Sequence, residues 1–326
     1  MELPCVIAAL LLQLSLAAMA RGSLRHARAD AMEACFGGAA SKVYSYEACC
    51  ACGNEYGNSS GRGHCWVGPF DLSYCCTFYA SDARLLPHLP CWRNADGPKR
   101  RVQFELAGRE WTLWQKPREP FDTRGITAHV MWPSAYALAA WMLDKEGTAA
   151  DAIVGRHVLE LGCGLALPSL AAAWGGAATA QGTDIDRDAV HLARRAARAN
   201  LPEPFFSRFR ADALDFRDAA SVATVSEKSP KVDTVLISGQ LYEGALSVPL
   251  LHALQTLCSR QLCTVLMVFW ISIEFSDTQI AFLDRMSQVG FKVVDDFACR
   301  ERGYANPGSM YECYRFEKST SSLGMV

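Results

Sequence analysis

The 326-residue chain lacks an excess of charge of either sign: 32 Lys and Arg residues stand against 34 Asp and Glu, for a formal net charge of −2. A dedicated nucleic-acid-binding protein usually carries a strongly basic domain, so we expect no nucleic-acid partner. Half of the residues are apolar and only 20% are charged. This composition excludes bulk disorder and predicts a packed core, in a chain long enough for two domains.

The uncharged run at residues 6–20 is too short to span a bilayer comfortably. It ends in Ala18-Met19-Ala20, a cleavage pattern of small residues, although residues 1–4 lack the usual Lys or Arg. We expect residues 1–20 to be a signal peptide or targeting leader. A cleaved leader predicts a lumenal or secreted protein without stable membrane association, whereas a leader that does not function predicts a cytoplasmic one.

Cysteine is sparse after residue 91 and dense before it. In an oxidising compartment the dense segment would form a small disulfide-stapled module within residues 21–96, with 105 connectivities open for eight cysteines. Zinc is an alternative because Cys49 and Cys52 have C-x-x-C spacing, but a second such pair is absent, so we expect no metal. Unpaired thiols are the third reading. The eight cysteines are Cys35, Cys49, Cys50, Cys52, Cys65, Cys75, Cys76 and Cys91.

Strand and helix patterns alternate from residue 154 onward, after a hairpin pattern at 101–114 and a helix that begins at Trp132-Pro133. Such alternation predicts an α/β fold: a Rossmann-like, seven-stranded, mostly parallel sheet with helices on both faces, preceded by the small Cys-rich disulfide module. We assign this domain to residues 97–318, after a turn-rich linker at 94–98, and a polar tail to 319–326. The seven predicted strands are 157–161, 178–184, 208–211, 232–238, 263–270, 291–297 and 310–316.

A glycine-rich turn follows the first of these strands. Gly162 and Gly164 remove side chains where a ligand must approach the backbone, and the next helix offers free N–H groups. Asp184 ends the following strand, where a carboxylate can accept both hydroxyls of a ribose. The third glycine of a dinucleotide fingerprint is missing, because Leu167 stands at its position.

The version of the turn in this chain, Glu160-Leu161-Gly162-Cys163-Gly164, resembles motif I of class I, seven-strand S-adenosylmethionine-dependent methyltransferases. The resemblance covers about residues 101–318. It includes residues 129–135 (HVMWPSA), 182–184 (GTD) and 235–243, which are similar to the methyltransferase-like group that modifies lysine, arginine or histidine side chains of proteins. No part of it covers residues 21–95.

The resemblance implies S-adenosyl-L-methionine as the cofactor and a protein as the substrate. Glu160 and the glycine turn would contact the methionine and ribose portion, Asp184 the ribose, and Asp212 with Ala213 the adenine. Trp132 would close over the cofactor. The complete cofactor-binding set is Trp132, Glu160, Gly162, Cys163, Gly164, Asp184, Asp212, Ala213 and Ser238.

The sequence departs from the family at the end of the fourth strand. Gly239 stands where these enzymes carry the Asp of a D-x-x-Y/F stretch. Because that carboxylate orients or neutralises a basic acceptor, its loss leaves the acceptor residue type open. Tyr242, Gln240 and Glu243 are the candidate catalytic residues, with Tyr242 lining the acceptor slot and Glu243 replacing the lost charge.

Three functions are consistent with this pattern. The first is an S-adenosylmethionine-dependent methyltransferase that modifies a protein side chain, and the intact motif I together with Asp184 favours it. The second is a catalytically degenerate methyltransferase fold that serves as a binding protein, which Gly239 favours. The third is a small-molecule methyltransferase, against which the hairpin and the Trp132-Pro133 helix start argue.

Overall fold

The computed structural model describes residues 93–94, 97–98, 101–115, 128–129, 131–228, 232–241, 244–259, 262–270, 276–305 and 311–318. The predicted leader, nearly all of the Cys-rich module and the polar tail lie outside these residues. The domain boundaries therefore stay predictions.

A seven-stranded sheet forms the centre of the domain, in the order β7-β6-β5-β8-β9-β11-β10. Six strands run parallel to one another, and β11 pairs antiparallel with both β9 and β10. This confirms the predicted fold. The strands are β5 (His157–Leu161), β6 (Thr179–Asp184), β7 (Phe209–Ala213), β8 (Thr234–Ser238), β9 (Cys263–Trp270), β10 (Phe291–Ala298) and β11 (Tyr311–Lys318).

Helices cover both faces of this sheet. The central strands are near-continuous apolar runs, as expected of parallel strands buried on both sides, and all five residues of β8 are buried. The helices are α1 (Pro133–Leu143), α2 (Leu167–Trp174), α3 (Arg187–Asn200), α4 (Phe205–Arg208), α5 (Ala219–Lys228), α6 (Ser247–Leu257) and α7 (Ser276–Gln288), with short 3₁₀ turns at Ala150–Ala152, Gly244–Leu246 and Cys299–Arg302.

Two apolar cores lie on opposite faces of the sheet. One contains Trp141 of α1 and Leu170 of α2. The other contains Leu254 of α6 and Phe282 of α7. Helix α3 shows how the sequence selects one face: Ala189, Val190, Ala193, Ala196 and Ala197 are buried along one stripe, and its other positions are mostly charged or polar.

The predicted hairpin is present as β3 (Arg101–Leu106) and β4 (Arg109–Trp114), which form a separate two-stranded sheet. The side chain of Asn200 fixes it to the end of α3, because it accepts from the Thr112 N–H (2.8 Å) and donates to the Thr112 carbonyl (2.7 Å). The Arg109 guanidinium lies 3.9 Å from the ring centre of Trp174 and 4.8 Å from that of Trp111. These contacts join the hairpin to the helices that flank the sheet.

Some elements differ from the prediction. The segment expected to be a linker contains paired strands β1 (Arg93–Asn94) and β2 (Gly97–Pro98). Helices α4 and α5 were not predicted, since α4 has only four residues and α5 has a weak apolar stripe. In the described part of the chain, no helix combines the length and the apolar character needed to cross a membrane.

Four cysteines of the domain form two disulfides, Cys258–Cys263 and Cys299–Cys313. The first joins the end of α6 to the start of β9, and the second joins the last 3₁₀ turn to β11. Cys163 is the one free cysteine among the described residues. The prediction placed disulfides only in residues 35–91, because an even count and dense spacing were visible only there. In the domain, Cys258 and Cys263 lie five residues apart around the turn between α6 and β9, whereas the pairing of β10 with β11 brings Cys299 and Cys313 together.

We expect the Cys299–Cys313 disulfide to stabilise the domain by about 3 kcal/mol, because it closes a loop of about 15 residues in the unfolded chain. In urea titrations, the variant Cys299→Ala/Cys313→Ala should be less stable than the wild type by this amount without reductant. The difference should shrink with dithiothreitol, which opens the bond in the wild type. A difference that reductant leaves unchanged would show that the loss reflects packing alone.

Candidate active site

A cavity of about 850 Å³ opens at the carboxyl ends of the parallel strands. Its volume lies in the range of ligand pockets, and its position is where open α/β sheets bind ligands. The glycine turn after β5, the loops after β6, β7 and β8, the end of β9 and the start of α1 contribute to its wall. Among the predicted residues, Trp132, Gly162, Cys163, Gly164, Asp184, Ser238 and Gln240 line it.

The glycine turn needs both of its glycines. Gly162 and Gly164 have φ values of +65° and +52°, in the left-handed region that side chains disfavour. A Cβ on Gly164 would come within 3.1 Å of the Ala128 carbonyl oxygen, and one on Gly162 would collide with the amide of Gln240 at 2.4 Å. The turn therefore presents bare backbone to the cavity, next to the start of α2.

Asp184 stands at the end of β6 and fixes this turn. Its Oδ2 accepts the Gly164 N–H at 2.8 Å, and its Oδ1 accepts the Asp186 N–H at 2.9 Å. Burial raises the pKa of this carboxyl, and the two backbone N–H groups act against that rise. Since each carboxylate oxygen has a second lone pair, Asp184 can also accept hydroxyls from a ligand in the cavity.

Glu160 does not line the cavity. Its side chain is fully buried, and Oε2 accepts the backbone N–H of Ser169 at 3.0 Å and its hydroxyl at 2.5 Å. Its predicted role as a cofactor contact stays a prediction. The carboxyl group holds the start of α2 against the strand that leads into the glycine turn.

Asp212 and Ala213 also lie outside the cavity wall. The Asp212 carboxylate is nearly half exposed and pairs with Arg194 at 3.3 Å, and it accepts from the Gln181 amide at 3.1 Å. The predicted adenine contact of Asp212 and Ala213 therefore stays a prediction. The residues of this loop that line the cavity are Leu214, Asp215, Phe216 and Arg217.

Trp132 caps the N-terminus of α1 and is 41% exposed at the cavity wall. Cys163 contributes mainly through its backbone, since its N–H donates to the Thr183 carbonyl at 2.8 Å. Burial raises the pKa of the Cys163 thiol well above its usual value, which opposes a role as a nucleophile. Sequence reasoning missed Ile185, which also lines the cavity, because an exposed apolar residue carries no motif.

Gln240 lies across the glycine turn. Its Nε2 donates to the Gly162 carbonyl at 2.9 Å and is 3.4 Å from the Ser238 carbonyl. These contacts tie the end of β8 to the end of β5. Of the other predicted catalytic residues, Tyr242 and Glu243 lie outside the described residues, so their roles stay predictions.

Gly239 has a structural reason to lack a side chain. Its φ is +72°, and a Cβ there would stand 2.8 Å from the Ser134 Oγ of α1. The position that holds Asp in the resembling enzymes is therefore closed by the helix that follows Trp132. The sequence shows that Gly stands at the position of the family Asp, and the structure shows that the Ser134 side chain of α1 lies next to this position.

We predict that Gly239→Ala destabilises the domain more than Gly108→Ala. Gly108 has a φ of +69°, close to that of Gly239, but nothing lies within 4 Å of its Cβ position. Both variants bear the conformational strain of about 1–2 kcal/mol, and only the first also collides with Ser134. Urea titrations of both variants measure the difference. Equal losses would contradict the collision, and adding Ser134→Gly should reduce the loss at Gly239 only.

A second prediction concerns Glu160, whose pKa burial raises to about 8 from an ordinary value of 4.5. Between these values the folded state retains a proton that the unfolded chain has lost, so stability falls as pH rises, by up to about 1.4 kcal/mol per pH unit. Relative to wild type, Glu160→Gln should therefore gain stability between pH 5 and 8. Urea titrations at several pH values test this, with exposed Glu110→Gln as the control. A parallel profile for Glu160→Gln would contradict it.

The cavity fits S-adenosylmethionine in size and chemistry. Its wall combines a backbone cradle that a Cβ would fill, a helix N-terminus beside it and a buried carboxylate at the end of the next strand. Gly162 and Gly164 would face the methionine portion and Asp184 the ribose. When bound, the cofactor supplies an activated methyl group on a sulfonium.

Comparisons with solved structures find methyltransferases at low sequence identity. A protein from Streptococcus mutans described as a SAM-dependent methyltransferase is 12% identical, with a TM-score of 0.47, over 67% of this chain and 56% of that one. Magnesium protoporphyrin IX methyltransferase from Synechocystis, with bound SAH, is 16% identical, with a TM-score of 0.40, over 57% and 82%. The chain thus spans little more than half the length of the Streptococcus mutans protein.

Another structure, TrmN from Thermus thermophilus, is 21% identical, with a TM-score of 0.40, over 64% of this chain and 55% of that one. No curated protein gives a significant match to the chain. The profile of a lysine methyltransferase family matches residues 119–289, just over half of the chain. By this match, and with motif I in the predicted place, the chain belongs to the lysine methyltransferase family of S-adenosylmethionine-dependent methyltransferases.

Proposed function

We propose that the protein transfers the methyl group of S-adenosylmethionine to a nucleophilic side chain of a protein substrate. The observation that carries this proposal is the division of the cavity wall into a charged and an uncharged part. The charged side chains lie on the loops after β6 and β7. They are Asp184, Asp186, Arg187, Asp215 and Arg217.

The uncharged part lies at the ends of β8 and β9, at the start of β11 and on α7. Aromatic and amide side chains form it, and none of its described residues carries a charge. They are Ser238, Gly239, Gln240, Leu241, Phe269, Trp270, Gln279 and Tyr311. The charged part suits the polar ribose and adenine portions, which leaves the uncharged part for the acceptor.

The uncharged part of the wall suits an acceptor in its neutral form. Methyl transfer is an in-line displacement in which the acceptor atom needs a free lone pair, and a large part of the catalysis comes from holding the two reactants in line. An apolar, partly enclosed wall disfavours a protonated amine and so lowers its pKa. Gln240 can orient the acceptor through its amide oxygen, because its NH₂ group is already bonded to backbone carbonyls.

A protein substrate is favoured over a small molecule by the family and by the shape of the site. The profile match is to lysine methyltransferases, and Trp132, 41% exposed, lies at the rim. The absence of a side chain at position 239 widens the acceptor classes beyond lysine. Histidine is a natural candidate because its imidazole is largely neutral near pH 7.

We further propose that the enzyme acts in an oxidising compartment of the secretory pathway. The leader expected at residues 1–20 motivates this proposal, and the two disulfides of the catalytic domain support it, because such bonds persist mainly in oxidising environments.

The proposal is tested with the full chain, tritiated S-adenosylmethionine and a peptide array that presents lysine, arginine or histidine in otherwise identical peptides. We expect label on peptides, with neutral-nitrogen acceptors labelled more strongly as pH rises. Asp184→Ala should lose at least about tenfold in cofactor affinity, since it removes charged hydrogen bonds, whereas the exposed Asp277→Ala should match the wild type. Label confined to small molecules would favour the small-molecule reading. Cofactor binding without transfer to any acceptor would favour the binding-protein reading.

A further inference from the structure

The residues just before α1 cover one side of the cofactor cavity. Ala128, Met131 and Trp132 line the cavity, and His129 is buried beside them. We call these four residues the pocket cover. The Ala128 carbonyl oxygen lies over Gly164, at 3.1 Å from where a Cβ would stand. The cover therefore packs directly on the backbone that faces the cofactor.

His129 connects the cover to the loop after β6. Its Nε2 lies 3.0 Å from Oδ2 of Asp186, and the two side chains are only 2% and 16% exposed. Neither ring nitrogen of His129 makes a hydrogen bond of normal geometry, so the contact is a close approach of imidazole and carboxylate. Burial acts to raise the pKa of Asp186, but the neighbouring His129 and backbone N–H groups outweigh it, so that the pKa is lowered. Solvent screens such a pair less than an exposed one.

Asp186 is well placed to serve as the fixed end of this pair. Its Oδ1 caps α3 by accepting the Asp188 N–H at 2.8 Å, and its own N–H donates to Asp184 at 2.9 Å. The second oxygen is left to face His129. Asp186 thus links three features of the site: the predicted ribose carboxylate, the start of α3 and the cover.

The other end of the cover is anchored independently. The Met131 N–H donates to Oε1 of Gln115, next to the end of β4, at 2.8 Å in a buried contact. The cover is therefore held on both sides, at His129 and at Met131, and Trp132 follows directly at the rim. Without the His129 contact, the part nearest Gly164 would lose its approach to the Asp186 carboxylate, which lies 3.0 Å away.

We propose that His129 is a positioning residue of the cofactor site: its pair with Asp186 holds the pocket cover against the glycine turn and thereby raises the affinity for the cofactor. This inference rests on the assignment of the cavity as the S-adenosylmethionine site. It assigns His129 no contact with the reacting atoms. The expected signature is a change in cofactor binding with little change in turnover at saturating cofactor.

Three variants of the full chain test the role. His129→Phe keeps the ring and removes the nitrogen, His129→Gln offers an amide N–H at a similar reach, and His191→Phe is the control, because His191 is exposed on α3. The probe is S-adenosylhomocysteine, titrated calorimetrically. We expect His129→Phe to weaken binding about tenfold, because it removes the polar contact between the cover and the Asp186 carboxylate and leaves that oxygen without a partner on the cover. His129→Gln should recover most of the loss, and His191→Phe should bind like the wild type.

A second measurement reports on the cover itself. Acrylamide quenching of the Trp132 emission, taken as the difference from a Trp132→Phe background, should increase in His129→Phe and stay low in His129→Gln. If His129→Phe does not fold, His129→Leu replaces it, because leucine also lacks the nitrogen that faces Asp186. It should show the same weakening.

These outcomes distinguish the positioning role of His129 from the assignment of the cavity as the S-adenosylmethionine site. The positioning role would be overturned if His129→Phe binds the probe like the wild type. It would also be overturned if His129→Phe and His129→Gln lose equal affinity with equal falls in melting temperature, since that result would indicate a packing effect only. Failure of the wild type itself to bind S-adenosylhomocysteine would overturn the cofactor site together with the inference that rests on it.

Discussion

The arrangement of this site depends on one hydrogen bond, from the Gly164 N–H to the carboxylate of Asp184. It joins the turn after β5 to the end of β6 and holds the glycine backbone open to the cavity. Glycine is required in that turn, because its φ values and its neighbours leave no room for a side chain. The neighbouring features then follow: α2 begins at the turn, Gln240 lies across it, and the pocket cover packs on it.

Three carboxylates have different tasks around this bond. Asp184 faces the cavity, Glu160 anchors the start of α2 behind it, and Asp186 caps α3 and pairs with His129. Ligand binding accounts for the position of Asp184 only. Glu160 and Asp186 hold backbone elements in place instead, at the start of α2 and the start of α3. A site lined by main-chain atoms depends on such elements for its shape.

Gly239 stands where similar enzymes carry an Asp, and the missing carboxylate is related to the local packing. In this chain the backbone at Gly239 is left-handed, and Ser134 of α1 occupies the space that a side chain would need. In the function proposed above, the acceptor binds against the uncharged part of the cavity wall, and its orientation there takes the place of neutralisation by a carboxylate.

The seven strands, the fold class, the glycine turn and Asp184 could be predicted from the sequence, because alternating apolar runs and a strand-turn-helix motif are local patterns. The structure was needed to show that the Glu160 and Asp212 side chains do not line the cavity, that Cys258 pairs with Cys263 and Cys299 with Cys313, and that His129 lies 3.0 Å from Asp186. Those contacts join residues far apart in the chain, or depend on which way a side chain points. Neither property is encoded in the spacing of residues along a single segment.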